Sequence, residues 1–159
     1  MWSSLLVSAA IILPEQIQDM FQDGIPEDLI PCGQGQRILM VDDEVALVGM
    51  YQKLLKALKY EGTIVTDPEE AIGLVRKHPE QYELVITDLT MPGKSGLEVA
   101  RQIRAIREDL PVILATGFHG TVSDRQLTAA GICEVVEKPI LMGTLAMVLR
   151  GILGKKPED

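Results

Sequence analysis

Leu84-Val-Ile-Thr-Asp-Leu-Thr-Met-Pro-Gly-Lys-Ser-Gly-Leu-Glu98 decides the architecture. Leu84 to Thr87 is a short uninterrupted run, the pattern of a strand buried on both faces. Ser95-Gly-Leu-Glu98 is a capping box, which opens a helix running to about Arg107. Between strand and helix stands Asp88, an acid at the strand's C-terminal end.

The same unit recurs on both sides. Upstream, Arg37-Ile-Leu-Met-Val41 reads as a strand and is followed by Asp42, Asp43 and Glu44. A helix is expected from about Val45 to Lys59, with Leu47, Met50, Tyr51, Leu54, Leu55 and Leu58 on one face. Thr63 to Thr66 is a second strand. Asp67-Pro-Glu-Glu70 then starts a helix to about Lys77, with an N-cap acid, proline in the first turn and acids against the dipole. Downstream, Val112 to Ala115 is the fourth strand. Ser123-Asp-Arg-Gln126 is a second capping box, and Gly131 marks that helix's stop. Glu134 to Glu137 is the fifth strand, followed by Lys138-Pro139 and a last helix over Leu141 to Leu153. Alternating strands and helices imply a parallel sheet with right-handed crossovers.

In such a sheet the strand C-termini share one edge, where ligands bind. That edge receives Asp42, Asp43, Asp88 and Lys138. Three crowded acids repel one another unless a hard cation lies between them. Mg²⁺ suits them, because it takes oxygen ligands octahedrally and accepts carboxylates together with waters and a phosphate. The lysine adds a point charge that can meet an anion at the metal.

Composition narrows the function classes. The chain has 159 residues, 47% of them hydrophobic and only 4% aromatic, so the core is aliphatic. A net charge of −8 leaves no basic footprint for nucleic acid. Cys32 and Cys133 lack metal-ligand spacing and read as free thiols in a reducing, cytoplasmic setting. Leu5 to Leu13 is apolar but too short to span a bilayer, and no basic segment precedes it, so neither a membrane contact nor a signal peptide is expected. Leu5, Leu6, Ala9, Ile12 and Leu13 would share one helix face. The proline- and glycine-punctuated stretch from Pro14 to Gln36 reads as a linker, with a short helix between Glu15 and Phe21. The expected organisation is an arm over residues 1–35, a domain over 36–154 and a tail over 155–159.

Four motifs in order carry a family resemblance: Val41-Asp-Asp-Glu44, Asp88-Leu-Thr-Met-Pro-Gly-Lys-Ser-Gly96, Ala115-Thr-Gly117 and Lys138-Pro139. The stretch from Gln36 to Leu153 resembles the receiver domain of two-component response regulators, over roughly three-quarters of the chain. The resemblance implies a flavodoxin-like, doubly wound sheet of five parallel strands in the order 2-1-3-4-5, with five helices. It implies that Asp88 accepts a phosphoryl group from a histidine kinase or phosphotransfer protein. Asp43, Asp88 and the backbone carbonyl of Thr90 would ligate Mg²⁺, with Asp42 holding the ion through water. Thr116 would donate its hydroxyl to a phosphoryl oxygen, and Lys138 would pair with Asp88 and then with the phosphoryl group. Gly117 would leave room for that group, and Pro139 matches a cis proline. Such a domain is a signalling module rather than an enzyme. Ile113-Leu-Ala-Thr-Gly-Phe118 behind a linker also resembles receivers at the C-terminal end of hybrid histidine kinases. A homodimer is left open.

Two features depart from the pattern. Chemotaxis-type receivers carry an aromatic three residues before the lysine, where this chain has Val135, and Leu141 stands where a helix cap is expected. The rival reading is a pseudo-receiver that only binds proteins, whose mark would be a broken acidic set or a missing lysine. A nucleotide-binding enzyme would need a glycine-rich turn after the first strand. Asp42-Asp-Glu44 stands there instead and repels anions. His78 and His119 are expected in surface loops without a metal or catalytic role.

Overall fold

The computed structural model describes residues 27–117 and 122–154. The helix face expected over residues 5–13, the short helix between Glu15 and Phe21, and the expectations for Phe118, His119 and the tail fall outside those residues. Within them, a single 3-10 turn (Glu27–Leu29) precedes β1 (Arg37–Val41), α1 (Val45–Ala57), β2 (Glu61–Val65), α2 (Pro68–Lys77), β3 (Leu84–Asp88), α3 (Gly96–Ile106), β4 (Val112–Thr116), α4 (Asp124–Ala130), β5 (Ile132–Glu137) and α5 (Met142–Leu153). The strands pair in parallel in the order β2-β1-β3-β4-β5. This is the expected doubly wound, flavodoxin-like sheet.

Alternation along each strand builds two aliphatic layers. Ile38, Met40, Leu84, Ile86, Ile113 and Ala115 pack with Tyr51, Leu54, Leu55 and Leu58 of α1 and Leu145, Ala146 and Leu149 of α5. Leu39, Val41, Val85, Val112 and Leu114 pack on the other side with Ala71, Ile72 and Val75 of α2 and Val99, Ala100 and Ile103 of α3. β3 and β4 are buried along their whole length, whereas the edge strands β2 and β5 are only partly covered.

Side-chain caps explain three of the five helix starts among the described residues. Asp67 accepts from the Glu69 N–H at 3.0 Å ahead of Pro68. Ser95 accepts from Glu98, and Ser123 and Gln126 form a reciprocal capping box. Gly131 closes α4 at φ 75°, a left-handed conformation that glycine adopts without a Cβ penalty. α1 stops two residues earlier than its apolar stripe indicates, because Lys59 turns to φ 63°. α5 begins at Met142 behind Leu141, which caps it with no side-chain hydrogen bond.

Two strands are longer than their composition indicates. Polar Glu61 and Gly62 join β2 because they lie in register with Arg37 and Ile38. β5 starts at Ile132, opposite Val112, and the register jumps so that Ile113 faces Glu134. Cys133 is the extra residue of that irregularity, which hides the strand's period of two. Ahead of β1 the chain is pinned down: Gly33 donates to the Leu58 carbonyl at 2.7 Å, and Gly35 donates to that of Lys59 at 2.9 Å.

Candidate functional site

At the C-terminal edge of β1, β3, β4 and β5 a cleft of about 690 Å³ opens, lined by Asp43, Glu44, Asp88, Thr90, Met91, Thr116, Gly117 and Lys138. Each of these residues owes its place to a strand end or to the loop after it. The alternation that sends Leu84 and Ile86 to the α1–α5 layer carries Asp88 the same way. Asp42 lies just past β1 and is 1% exposed, buried beside Asp88 and Lys138 rather than in the cleft's lining.

Carboxylate oxygens of Asp42, Asp43 and Asp88 all lie within 4.8 Å of one another, and such a group can hold a metal ion. Lys138 bridges two of them, with its Nζ 2.8 Å from Asp42 Oδ2 and 3.3 Å from Asp88 Oδ2. Its backbone N–H donates to the Thr116 carbonyl at 2.9 Å, so the lysine and threonine are joined through main chain. The Lys138–Pro139 bond is cis. Asp42 does not cap α1. Its Oδ1 accepts instead from the Glu44 N–H at 3.0 Å, inside the turn before the helix.

Electrostatics follow from this crowding. Burial pushes the Asp88 carboxyl above its ordinary value; Lys138 opposes that shift, and Asp42 and Asp43 reinforce it. For Lys138, burial acts against the charged form, but the hydrogen bond and charge of Asp42 outweigh it and hold the ammonium above the usual lysine range. Sequence reasoning left one contact undetected. Tyr51, taken as part of the apolar stripe of α1, donates its hydroxyl to Asp42 Oδ2 at 3.3 Å. Burial and the neighbouring acids push its phenol upward, so it stays protonated and can only donate to the carboxylate. The available signal was a tyrosine where a phenylalanine would have filled the core, since a buried phenol normally finds a partner.

The helix that follows Asp88 approaches it closely. Gly96 donates its N–H to the Leu89 carbonyl at 2.8 Å. A β-carbon on Gly96 would overlap the Asp88 carbonyl oxygen and come within 2.7 Å of Leu114 Cδ1. Glycine-to-alanine substitution in a helix normally stabilises by about 1 kcal/mol. Here overpacking against main chain reverses the sign. Gly96→Ala should lower stability by about 1–3 kcal/mol, read as a lower denaturant midpoint with an unchanged m-value.

The other residues singled out fall elsewhere. Thr90 is exposed at the rim of the cleft, Val135 is half-buried in β5, and Glu44 is exposed. His78 caps the C-terminal end of α2, at the opposite edge of the sheet. Cys32 and Cys133 are free thiols. No helix among the described residues is long and apolar enough to cross a membrane.

A family model for the response regulator receiver domain matches residues 38–150. The chain belongs to that family. Receiver domains of this kind are parts of two-component systems, and curated relatives agree. The Arabidopsis thaliana two-component response regulator ARR14 is 30% identical over 122 residues, covering 77% of this chain and 32% of that protein. Response regulator RppA of Synechocystis is 32% identical over 122 residues, covering 77% of this chain and 52% of that protein. The receiver thus spans between about a third and a half of those relatives. Among solved structures, a receiver domain from Clostridium thermocellum superposes with a TM-score of 0.69 at 26% identity, covering 75% of this chain and 94% of that one. TrrA of Thermotoga maritima, solved in complex with Mg(2+)-BeF, has a TM-score of 0.64 at 34% identity, covering 74% of this chain and 98% of that one.

Proposed function

We propose that residues 36–154 act as a phosphoacceptor: Asp88 takes a phosphoryl group from the phosphohistidine of a histidine kinase or phosphotransfer protein, in the presence of Mg²⁺. The observation that carries this reading is the close grouping of three acids and one lysine at one strand-end edge, where Asp43, Asp88 and Lys138 line an open cleft. The acids' oxygen-only donor set and close spacing fit a hard divalent cation. Asp43, Asp88 and the Thr90 carbonyl would hold Mg²⁺ directly, and Asp42 through water. When bound, the ion neutralises charge that builds on the transferring phosphoryl oxygens.

The chain's own residues do the rest. An Asp88 carboxylate oxygen forms a bond to phosphorus while the phosphorus–nitrogen bond of the donor breaks, and the imidazole leaves with the electron pair. A carboxylate is a weak nucleophile, but phosphoryl transfer depends mainly on positioning and charge neutralisation. Lys138, already beside Asp88, moves its charge to the new phosphoryl group, and the Thr116 hydroxyl donates to another of its oxygens. Gly117 presents no side chain to obstruct entry. The added negative charge draws Thr116 and Lys138 together, and their main-chain bond passes that pull to the segment after β4. This shift, rather than catalysis of a separate reaction, is the output, in keeping with a cytoplasmic signalling module.

A pure docking module would not require an intact acid–lysine set. Incubation with acetyl phosphate and Mg²⁺ tests the difference. The protein should gain one phosphoryl group by intact mass, and chelation of the metal should prevent it. A wild-type protein that binds Mg²⁺ yet stays unmodified by both acetyl phosphate and a phosphorylated kinase would overturn the proposal.

A further inference from the structure

Asp42 is buried, and three of the chain's own donors satisfy it. Oδ1 accepts from the Glu44 N–H, while Oδ2 is shared by Lys138 at 2.8 Å and the Tyr51 hydroxyl at 3.3 Å. The two donors on Oδ2 are unequal. Lys138 is at the short distance of a charge-assisted bond. The tyrosine is longer than an ordinary O–H···O contact, as expected for a second donor on an oxygen already engaged.

The proposed reaction changes this balance. Lys138 must turn from Asp42 towards the phosphoryl group on Asp88. A buried carboxylate that loses a donor without replacement is strongly disfavoured. Tyr51 is anchored in the α1–α5 layer among Leu54, Leu55 and Met40 and stays in place when the lysine leaves.

We propose that Tyr51 is a positioning residue of the phosphoryl site, a reserve donor that keeps Asp42 hydrogen-bonded when Lys138 moves to the phosphoryl group. The inference rests on the phosphoacceptor reading and deepens it. Tyr51 touches neither the phosphoryl group nor Asp88; it acts through Asp42 by making Lys138 easier to release. A purely structural tyrosine would fill the same volume, and phenylalanine would replace it without effect on the reaction.

Single-turnover phosphorylation by acetyl phosphate at saturating Mg²⁺ tests the role. Tyr51→Phe should slow phosphorylation about tenfold, the scale of one hydrogen bond to a charged group. Its Mg²⁺ dissociation constant, measured by calorimetry without any phosphoryl donor, should stay within about twofold of wild type. In an Asp42→Asn background, where no carboxylate remains to be held, the same substitution should have no further effect. A wild-type rate for Tyr51→Phe, or an equal loss in both backgrounds, overturns the proposal. If Tyr51→Phe does not fold, the wild type still decides the matter. The Tyr51 Cζ carbon resonance should shift on phosphorylation as its hydrogen bond tightens, and a fixed resonance overturns the role. Failure of the wild type itself to accept a phosphoryl group would strike the phosphoacceptor reading, an outcome distinct from either of these.

Discussion

Asp88→Asn should end phosphoryl uptake from acetyl phosphate and phosphohistidine alike, and should make the protein more stable. Intact mass after incubation reads the first effect, because an amide offers no anionic oxygen to attack phosphorus. Thermal melting at neutral pH reads the second. The folded chain raises the Asp88 carboxyl from its ordinary value of 3.8, chiefly by burial. The folded state therefore binds that proton more tightly than the unfolded chain does. The site's contribution to stability is greatest below the ordinary aspartate range and declines as pH rises through the raised folded value. At neutral pH the ionised carboxylate is a net burden, which asparagine removes. Wild type should lose stability relative to Asp88→Asn as pH is raised through that window, and phosphorylation should fall as pH is lowered through it. Mg²⁺ should reverse the ranking: binding to the native state alone stabilises by about 2.7 kcal/mol at a hundredfold excess over Kd. The variant, short of one ligand, should gain less. A variant that still takes up phosphate, or that melts below metal-free wild type, would contradict the argument.

Lys138→Met should separate metal binding from phosphoryl transfer. The ammonium is the built-in counterion of Asp42 and Asp88. Its removal leaves a buried carboxylate with one fewer charged donor, and the metal-free protein should lose about 1.5–3 kcal/mol. The same loss removes a positive charge that repels a cation from the cleft. Mg²⁺ should therefore bind about tenfold more tightly and recover much of the lost stability. Phosphorylation at saturating Mg²⁺ should nevertheless fall about a hundredfold or more, since the ammonium's share of the charge neutralisation on the phosphoryl oxygens is lost and the metal alone does not replace it. Calorimetry and single-turnover rates on one preparation read both effects. Parallel losses of affinity and rate would mean that Lys138 chiefly holds the fold.

Much of this arrangement was readable from residue order. The buried run Leu84–Thr87, the caps at Asp67 and Ser123 and the stop at Gly131 are local signals, and the structure follows them. Asp42, Asp43, Asp88 and Lys138 could be brought together because each ends a strand, and parallel topology gathers strand ends. Features set by partners distant in sequence were hidden. Glu61 and Gly62 become strand only through pairing with β1, and the irregularity at Cys133 breaks the alternation by which β5 would be recognised. Tyr51 lies in an apolar stripe with the right spacing for core; its hydroxyl signals a polar partner, but only the fold shows that the partner is the carboxylate nine residues away.

The pinning of residues 33 and 35 to the end of α1 has a steric outcome. Helices return antiparallel to the strands, so the Leu58 and Lys59 carbonyls that receive those bonds sit at the pole farthest from the acids. α5 ends at the same pole. Among the described residues, the segment that enters β1 and the end of α5 thus both lie at the pole away from the acids, opposite the edge that a phosphate donor must reach.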